Sequence, residues 1–115
     1  MSFLARGRKR EMKNEYGFIS IQRQTLDGRK NFLKKVAIKG RLEFFGETYF
    51  IHSPEKGIWN ITHEKSGFSA FQHRGKKSEA ITYARTRIEG HGEEAMKRII
   101  ADAMKIRESI TEVVD

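Results

Sequence analysis

Residues 31–45, NFLKKVAIKGRLEFF, alternate between two kinds of side chain. The even-numbered positions are mostly apolar, with Lys34 as the exception, whereas the odd-numbered positions are mostly basic or polar. An alternation of period two predicts a β-strand with one buried face and one solvated, basic face. Gly40 predicts a bend within that strand. The odd-numbered positions are Leu33, Lys35, Ala37, Lys39, Arg41 and Glu43.

Turn signals divide the first two thirds of the chain into short strands. The Asp27-Gly28 pair predicts a hairpin between residues 16–24 and the alternating run. Three further strands are predicted at residues 48–53, 58–63 and 68–73. Because the strands follow one another at hairpin spacing, we expect an antiparallel sheet of about five strands within residues 16–73.

Two helices are expected after the last strand. Residues 78–89 show apolar positions at helical spacing, with Ser78 as the expected N-cap, and two glycines end this helix within residues 89–92. Residues 93–110 carry a broad apolar stripe that should pack on the sheet, with a homodimer seam as the alternative. The pattern predicts an α+β fold in which the sheet packs against two C-terminal helices.

The domain organisation follows from these elements. Residues 14–115 are expected to form a single α+β domain, and residues 1–13 a disordered basic arm. The chain has no Cys, which excludes disulfides, thiolate catalysis and thiolate metal sites. It shows no signal peptide and no apolar run long enough to cross a membrane, so a cytoplasmic location is expected.

The charge of the chain favours an anionic partner. The formal net charge is +8, and the basic residues concentrate in residues 1–13, 22–41 and 73–90. Such a distribution is typical of proteins that contact the phosphate backbone of DNA or RNA. We therefore expect a small, non-enzymatic nucleic-acid-binding protein, of the kind found as accessory factors of phages and plasmids. The expected contact residues are Arg6, Arg8, Lys9, Arg10, Arg23, Arg29, Lys35, Lys39, Arg41, Arg74, Lys76 and Lys77.

The stretch HRGKKSEA, residues 73–80, has two interpretations. Two lysines and Ser78 at the start of a helix suit a phosphate, because the N–H groups of the first helical turn favour anions. The stretch is not a P-loop, since the first glycine of that motif is missing. The alternative is an ordinary turn followed by a capped helix with solvated lysines.

Two nucleic-acid-binding families resemble this part of the chain in outline. The last helix of the double-stranded-RNA-binding domain also starts with adjacent lysines after three strands, but that family has a helix before its strands, where residues 14–30 predict a hairpin. Residues 58–84 are similar in outline to the integrase/AP2-type domain, which contacts DNA with its sheet face. The spacing matches neither family, so membership of neither is predicted. The positions that match the RNA-binding helix are Lys76, Lys77, Ala80 and Ala84.

Two other classes of function remain open. The basic surface is also compatible with a protein-binding inhibitor of a bacterial defence enzyme, such as an anti-CRISPR protein. A ribonuclease-type toxin would use basic and histidine side chains such as Arg74 and His63. His52, His63 and His73 lie near the ends of successive strands, but no local spacing predicts a metal site, a catalytic residue or a cofactor.

Aromatic residues are a further candidate for binding. Phe44-Phe45 and Tyr49-Phe50 are adjacent pairs, and neighbours in a strand point to opposite faces. An outward member of such a pair would stack on a base or anchor a partner, unless the helices cover the second face as well.

Overall fold

The computed structural model describes residues 15–114, so the predicted arm lies outside the described residues. The α+β class is confirmed, as are the hairpins and both helices. The described strands divide between two sheets rather than one, with orders β1-β2-β7 and β3-β4-β5-β6. The elements are β1 (Tyr16–Thr25), β2 (Gly28–Ala37), β3 (Gly40–Phe44), β4 (Glu47–Glu55), β5 (Ile58–His63), β6 (Ser69–Arg74), α1 (Lys77–His91), α2 (Glu93–Glu108) and β7 (Val113–Val114).

The continuous strand expected across residues 31–45 is interrupted at residues 38–39. This linker carries the chain from the first sheet to the second. The Lys39 N–H donates to the Ile51 carbonyl oxygen at 2.7 Å, and the Lys39 carbonyl accepts from Lys77 Nζ at 2.6 Å. A Cβ on Gly40 would lie 3.3 Å from Ile51 Cδ1, so the glycine permits this close approach. The bend predicted at Gly40 is therefore a change of sheet.

The two faces of the alternating run are as predicted over most of its length. Lys35, Lys39 and Arg41 are exposed, and Phe44 is buried. Leu33 differs, because it is an odd position that is only 5% exposed. Its cross-strand neighbour Ser20 lines a cavity with side chains of α2, which shows that this end of the odd face is covered by the helix.

The main core lies between the second sheet and the helices. Tyr49 and Ile61 of the sheet pack with Ala84, Ile88 and Met96 of the helices, and each of these side chains is at most 3% exposed. An alanine at position 84 lets α1 approach the sheet closely, because its side chain is a single methyl group. Burial of this apolar cluster is the main force that holds the helices on the sheet.

The opposite face of the second sheet contacts the β1–β2 hairpin. Phe50 is fully buried, and its ring lies so close to Gly17 that a Cβ there would be 2.8 Å from Phe50 Cε2. The Ser20 N–H also donates to the Gly67 carbonyl oxygen at 3.0 Å, which attaches the edge of β1 to the β5–β6 turn. The hairpin is thus fixed to the second sheet at two points.

The two residues of β7 pair with the middle of the far edge of the hairpin. Val113 pairs with Leu33 in parallel orientation, and the Leu33 N–H donates to the Glu112 carbonyl oxygen at 2.9 Å. Lys30 also forms an ion pair with Glu112. No pattern in the sequence predicts this strand, because two residues are too few to show a period.

The start of α1 differs from the expectation in one respect. The N-cap is Lys76 and not Ser78, which lies inside the first helical turn. The Lys76 N–H donates to the Glu79 side chain at 3.1 Å, so an acidic residue three positions later satisfies the backbone N–H of the N-cap residue. Gly92, with φ of 86°, separates α1 from α2 as predicted. In residues 15–114, neither helix combines the length and the apolar character that a membrane crossing requires.

Candidate nucleic-acid interface

Two aromatic side chains are exposed side by side on β1. Tyr16 is 49% exposed and Phe18 is 40% exposed. They occupy alternate positions of one strand, so they point to the same face of the hairpin and lie about 6.6 Å apart along it. Large exposed aromatic residues on one strand form a surface that planar ligands can stack on.

Lys35 adds a positive charge to this surface. It lies directly opposite Phe18 in the register of the hairpin, on the same face. Its ammonium group is 4.5 Å from the centre of the Tyr16 ring, at cation–π distance. We call Tyr16, Phe18 and Lys35 the aromatic platform. It combines two stacking faces with one cation that would contact a phosphate.

The charge pattern of the sequence identified Lys35 but not the two aromatic residues. Tyr16 and Phe18 share their parity with Ser20, Gln22 and a further glutamine, whereas the other parity of β1 carries isoleucines. The polar continuation places the face of Tyr16 outside the apolar interior, and α2 covers this face only near Ser20 and Gln22. That signal was present in the sequence and points to exposed aromatics.

The outward aromatics expected on strand β4 are not exposed. Tyr49 and Phe50 are both 0% exposed, because the helices cover one face of β4 and the hairpin covers the other. In the preceding pair, Phe44 is buried, and Phe45 is 39% exposed at a turn where its φ is 53°. The expectation that one member of each pair faces outward therefore fails for Tyr49-Phe50.

The predicted basic residues of the hairpin lie in two places. Arg23 and Arg29 are exposed near the tip of the hairpin, where Arg29 Nη1 donates to Gln22 Oε1 at 3.2 Å. Lys35 lies at the opposite end, beside the aromatic platform. Arg29 shares the face of Lys35, whereas Arg23 pairs with Lys30 on the opposite face, and α2 covers part of the face between Arg29 and Lys35.

Arg41 is engaged with acidic side chains. Its Nε lies 3.0 Å from Glu64 Oε1, and its Nη1 pairs with Glu15. Hydrogen bonds to Glu64 and then to Glu15 raise the pKa of Arg41 above its ordinary value. Because Arg41 belongs to the second sheet and Lys35 to the first, the expected continuous stripe through Lys35, Lys39 and Arg41 is interrupted at the linker.

At the basic start of α1, most hydrogen-bonding groups already have partners within the protein. The Glu79 carboxylate accepts from the Lys76 N–H and lies 3.1 Å from His73 Nε2. These two hydrogen bonds, the backbone one first, lower the pKa of Glu79. Lys77 Nζ donates to the Lys39 carbonyl, while the Arg74 and Lys76 side chains are exposed. A carboxylate of the chain thus occupies the place that a phosphate would take at this helix start.

The remaining predicted contact residues lie in the N-terminal segment. They lie outside the described residues and stay predictions: Arg6, Arg8, Lys9 and Arg10.

The three strand histidines do not meet. His63 and His73 face the helices from opposite ends of β5 and β6, whereas His52 is on the other face of the sheet, opposite Asn60. Within residues 15–114, no group of three or more potential ligands is placed to hold a metal ion.

His63 is the centre of a buried polar network. Its Nδ1 lies 2.8 Å from Ser66 Oγ, and its Nε2 lies 2.7 Å from Glu47 Oε1. A carboxylate only accepts, so Nε2 carries a proton, and the Ser66 hydroxyl can donate to Nδ1 while accepting the Phe68 N–H. The three residue types of this network, Glu, His and Ser, also occur in hydrolase triads. However, His63 is only 1% exposed and Ser66 only 2% exposed. The network holds the β5–β6 turn and gives the toxin hypothesis no accessible base.

Comparison with known proteins adds no relative. No protein-family model matches the chain, and neither a curated protein nor a solved structure matches it. Function is therefore inferred from the side chains themselves.

Proposed function

We propose that this protein binds single-stranded nucleic acid, without catalysis, on the aromatic platform. The observation that carries the proposal is the exposure of Tyr16 and Phe18 on one strand face, with the ammonium of Lys35 over the Tyr16 ring. Exposed aromatic side chains at alternate strand positions are what a stacking surface for successive bases requires. Duplex bases are already stacked on each other and offer no such contact.

The binding energy expected from stacking and phosphate contacts fits a protein that binds nucleic acid with modest affinity and without sequence preference. Stacking of a base on an aromatic side chain contributes about 1–3 kcal/mol per base. Lys35, with Arg29 on the same face of the hairpin, would contact the phosphates. Two such contacts on a single strand give a slope of log affinity against log salt of about −1.4. Further contacts from the N-terminal segment would make the slope steeper.

Fluorescence anisotropy with labelled oligonucleotides tests the proposal. Single-stranded DNA, single-stranded RNA and duplex DNA are titrated with the full chain across a salt series. We expect single strands to bind more tightly than the duplex. We also expect Phe18→Leu to weaken binding by about fivefold or more, since it removes one stacking ring.

Phe45→Leu is the matched control. Phe45 is 39% exposed, close to the value for Phe18, but it lies at the β3–β4 turn in the other sheet. The control should leave affinity within about twofold of wild type, because general charge effects do not depend on Phe45. Equal losses in the two variants, or a preference for duplex, would refute the platform.

The same assay separates the alternative of an inhibitor that docks on a protein. An exposed tyrosine beside a lysine is also a suitable anchor for an acidic protein surface. In that case all three nucleic acids would bind weakly, without discrimination, and would be released at about 150 mM salt. That outcome would end the nucleic-acid proposal and favour the search for a protein partner.

A further inference from the structure

A second basic site lies on the other face of the hairpin. A cavity of about 260 Å³ opens between the hairpin and strand β4. Among the described residues that line it there are two lysines and one histidine, but no aspartate or glutamate. The lining residues are Ile19, Lys34, Val36, Ala37, Lys39, His52, Ser53 and Pro54.

Lys34 is the residue that broke the alternation in the sequence. It points to the inner face of β2 with Val36 and lies opposite Ile19. In residues 15–114, neither Lys34 nor Lys39 forms an ion pair. A cation on a partly buried inner face costs free energy unless an anion compensates it. Lys34 is therefore a half-buried cation whose compensation is not supplied by the part of the chain described, and the exposed Lys39 adds a second positive charge to the cavity lining.

His52 adds an unsatisfied polar group to the same cavity. It is 3% exposed, and its Nδ1 has no hydrogen-bond partner in the described chain. Burial, and then the charge of Lys34, lower the pKa of His52. The ring is therefore neutral at neutral pH. Buried polar atoms almost always have partners, so His52 brings to the cavity lining a ring with an unsatisfied nitrogen.

The backbone around the cavity is held in place. The linker residue Lys39 has both its N–H and its carbonyl in hydrogen bonds, to Ile51 and from Lys77. The Ser53 hydroxyl is occupied by the carbonyls of Glu55 and Ile58, at 2.6 and 2.7 Å. Lys34, Lys39 and His52 remain as the donors that can turn to a ligand. A site whose supports are fixed loses little entropy when it binds.

We propose that this cavity binds a phosphate group, through the two ammonium groups and the imidazole N–H. The volume lies just below the range of about 300–1,000 Å³ that is usual for drug-sized ligands, so it suits a small anion or the terminal phosphate of a larger molecule. Lysine is a common phosphate ligand because it delivers a compact charge. The site does not depend on the aromatic platform, since Lys34 and Lys35 point to opposite faces of β2.

The pH dependence of binding is a direct consequence. The charged groups that face His52 are Lys34 of β2 and Lys39 of the linker, while β1 contributes Ile19 and β5 contributes Asn60, which do not titrate. A bound dianion raises the pKa of His52, so binding takes up a proton. Sulfate stays doubly charged as the pH falls below the ordinary pKa range of histidine, so its affinity should rise as His52 takes up a proton there.

Calorimetric titration of the full chain with inorganic phosphate and with sulfate tests the site. Lys34→Met removes one of the two ammonium groups and keeps most of the apolar stem. Lys35→Met is the matched control, because it makes the same change of net charge one residue away on the opposite face. We expect a single saturable site in the wild type, a loss of about tenfold or more in Lys34→Met, and a change within about twofold in Lys35→Met.

The absence of saturable binding in the wild type, or equal losses in the two variants, would overturn the proposal. If Lys34→Met does not fold, the NMR signals of the His52 ring in the wild-type chain test the proposal instead. A saturating shift on addition of phosphate supports the site, and no shift refutes it. A 5′-phosphorylated oligonucleotide compared with its unphosphorylated form then shows whether a nucleic-acid end or free phosphate is the source. Failure of the aromatic platform would leave the phosphate result unchanged.

Discussion

Replacing Gly17 by alanine should loosen the contact between the hairpin and the second sheet. A Cβ at this position would lie 2.8, 2.9 and 3.2 Å from three carbons of the Phe50 ring. Favourable contacts between carbon atoms lie at about 3.5–4.0 Å. The two sheets would therefore have to separate by several tenths of an ångström, and a fully buried ring has no alternative space to enter.

The expected cost follows from two opposing terms. Overpacking of a well-packed core costs about 1–3 kcal/mol. Replacing glycine by alanine restricts the unfolded chain, which returns about 0.4–1 kcal/mol where the backbone conformation is ordinary. We expect a net loss of about 1–2 kcal/mol in the free energy of unfolding. For a domain of this size that lowers Tm by roughly 5–15 °C.

Guanidinium chloride unfolding, followed through the fluorescence of Trp59, the only tryptophan in the chain, measures the loss. In a Phe50→Leu background the same Gly17→Ala change should cost little, which gives a coupling of about 1–2 kcal/mol between the two positions. Gly90→Ala, in α1, is the control, since nothing lies within 4 Å of its Cβ and helix propensity favours alanine there. A neutral or stabilising Gly17→Ala, or an undiminished cost beside Leu at position 50, would refute the steric account.

Two further predictions concern titratable groups. Tyr49→Phe removes a buried hydroxyl without a partner in residues 15–114 and should raise the free energy of unfolding by about 1 kcal/mol. Burial raises the pKa of Tyr49 to about 12. The wild type should therefore lose stability as the pH rises from about 10 to 12, and the variant should lose less. Denaturant titrations at each pH measure both the gain in the variant and this pH dependence. Glu79→Gln should lower Tm at pH 7, because the pKa of this carboxyl is lowered in the folded chain by its hydrogen bonds to Lys76 and His73. This difference in Tm should vanish as the pH falls below the ordinary range of a carboxyl, and its persistence at pH 3 would contradict the assignment.

Local patterns in the sequence predicted the elements well. The alternation in residues 31–45 identified the exposed face of β2 and β3, and the glycines near residues 89–92 placed the break between the helices. These features depend on neighbours in the chain, which a sequence displays directly. The same alternation did not reveal that Ile38 and Lys39 carry the chain to a second sheet, because period two describes faces and not the layer that covers them.

The candidate sites were predicted only in part for the same reason. The charge of the sequence alone identified Lys35. Its proposed contribution to binding depends on Tyr16 and Phe18, which the pairing of β1 with β2 places beside it. Lys34 was noticed as an irregularity in the sequence. Only the fold shows that His52, from the other sheet, lines the same cavity as Lys34. Contacts between sheets have no local signature, so they require the fold.

The position of β7 in the chain determines when the β1-β2-β7 sheet is completed during synthesis. The ribosome releases the β1–β2 hairpin first, then the helices, and only afterwards the residues of β7. Until Val113 pairs with Leu33, the middle of the outer edge of β2 presents open N–H and carbonyl groups, which template pairing with other chains. A newly made molecule is therefore more exposed to such pairing during this interval. β7 covers this part of the edge only after both helices have been made.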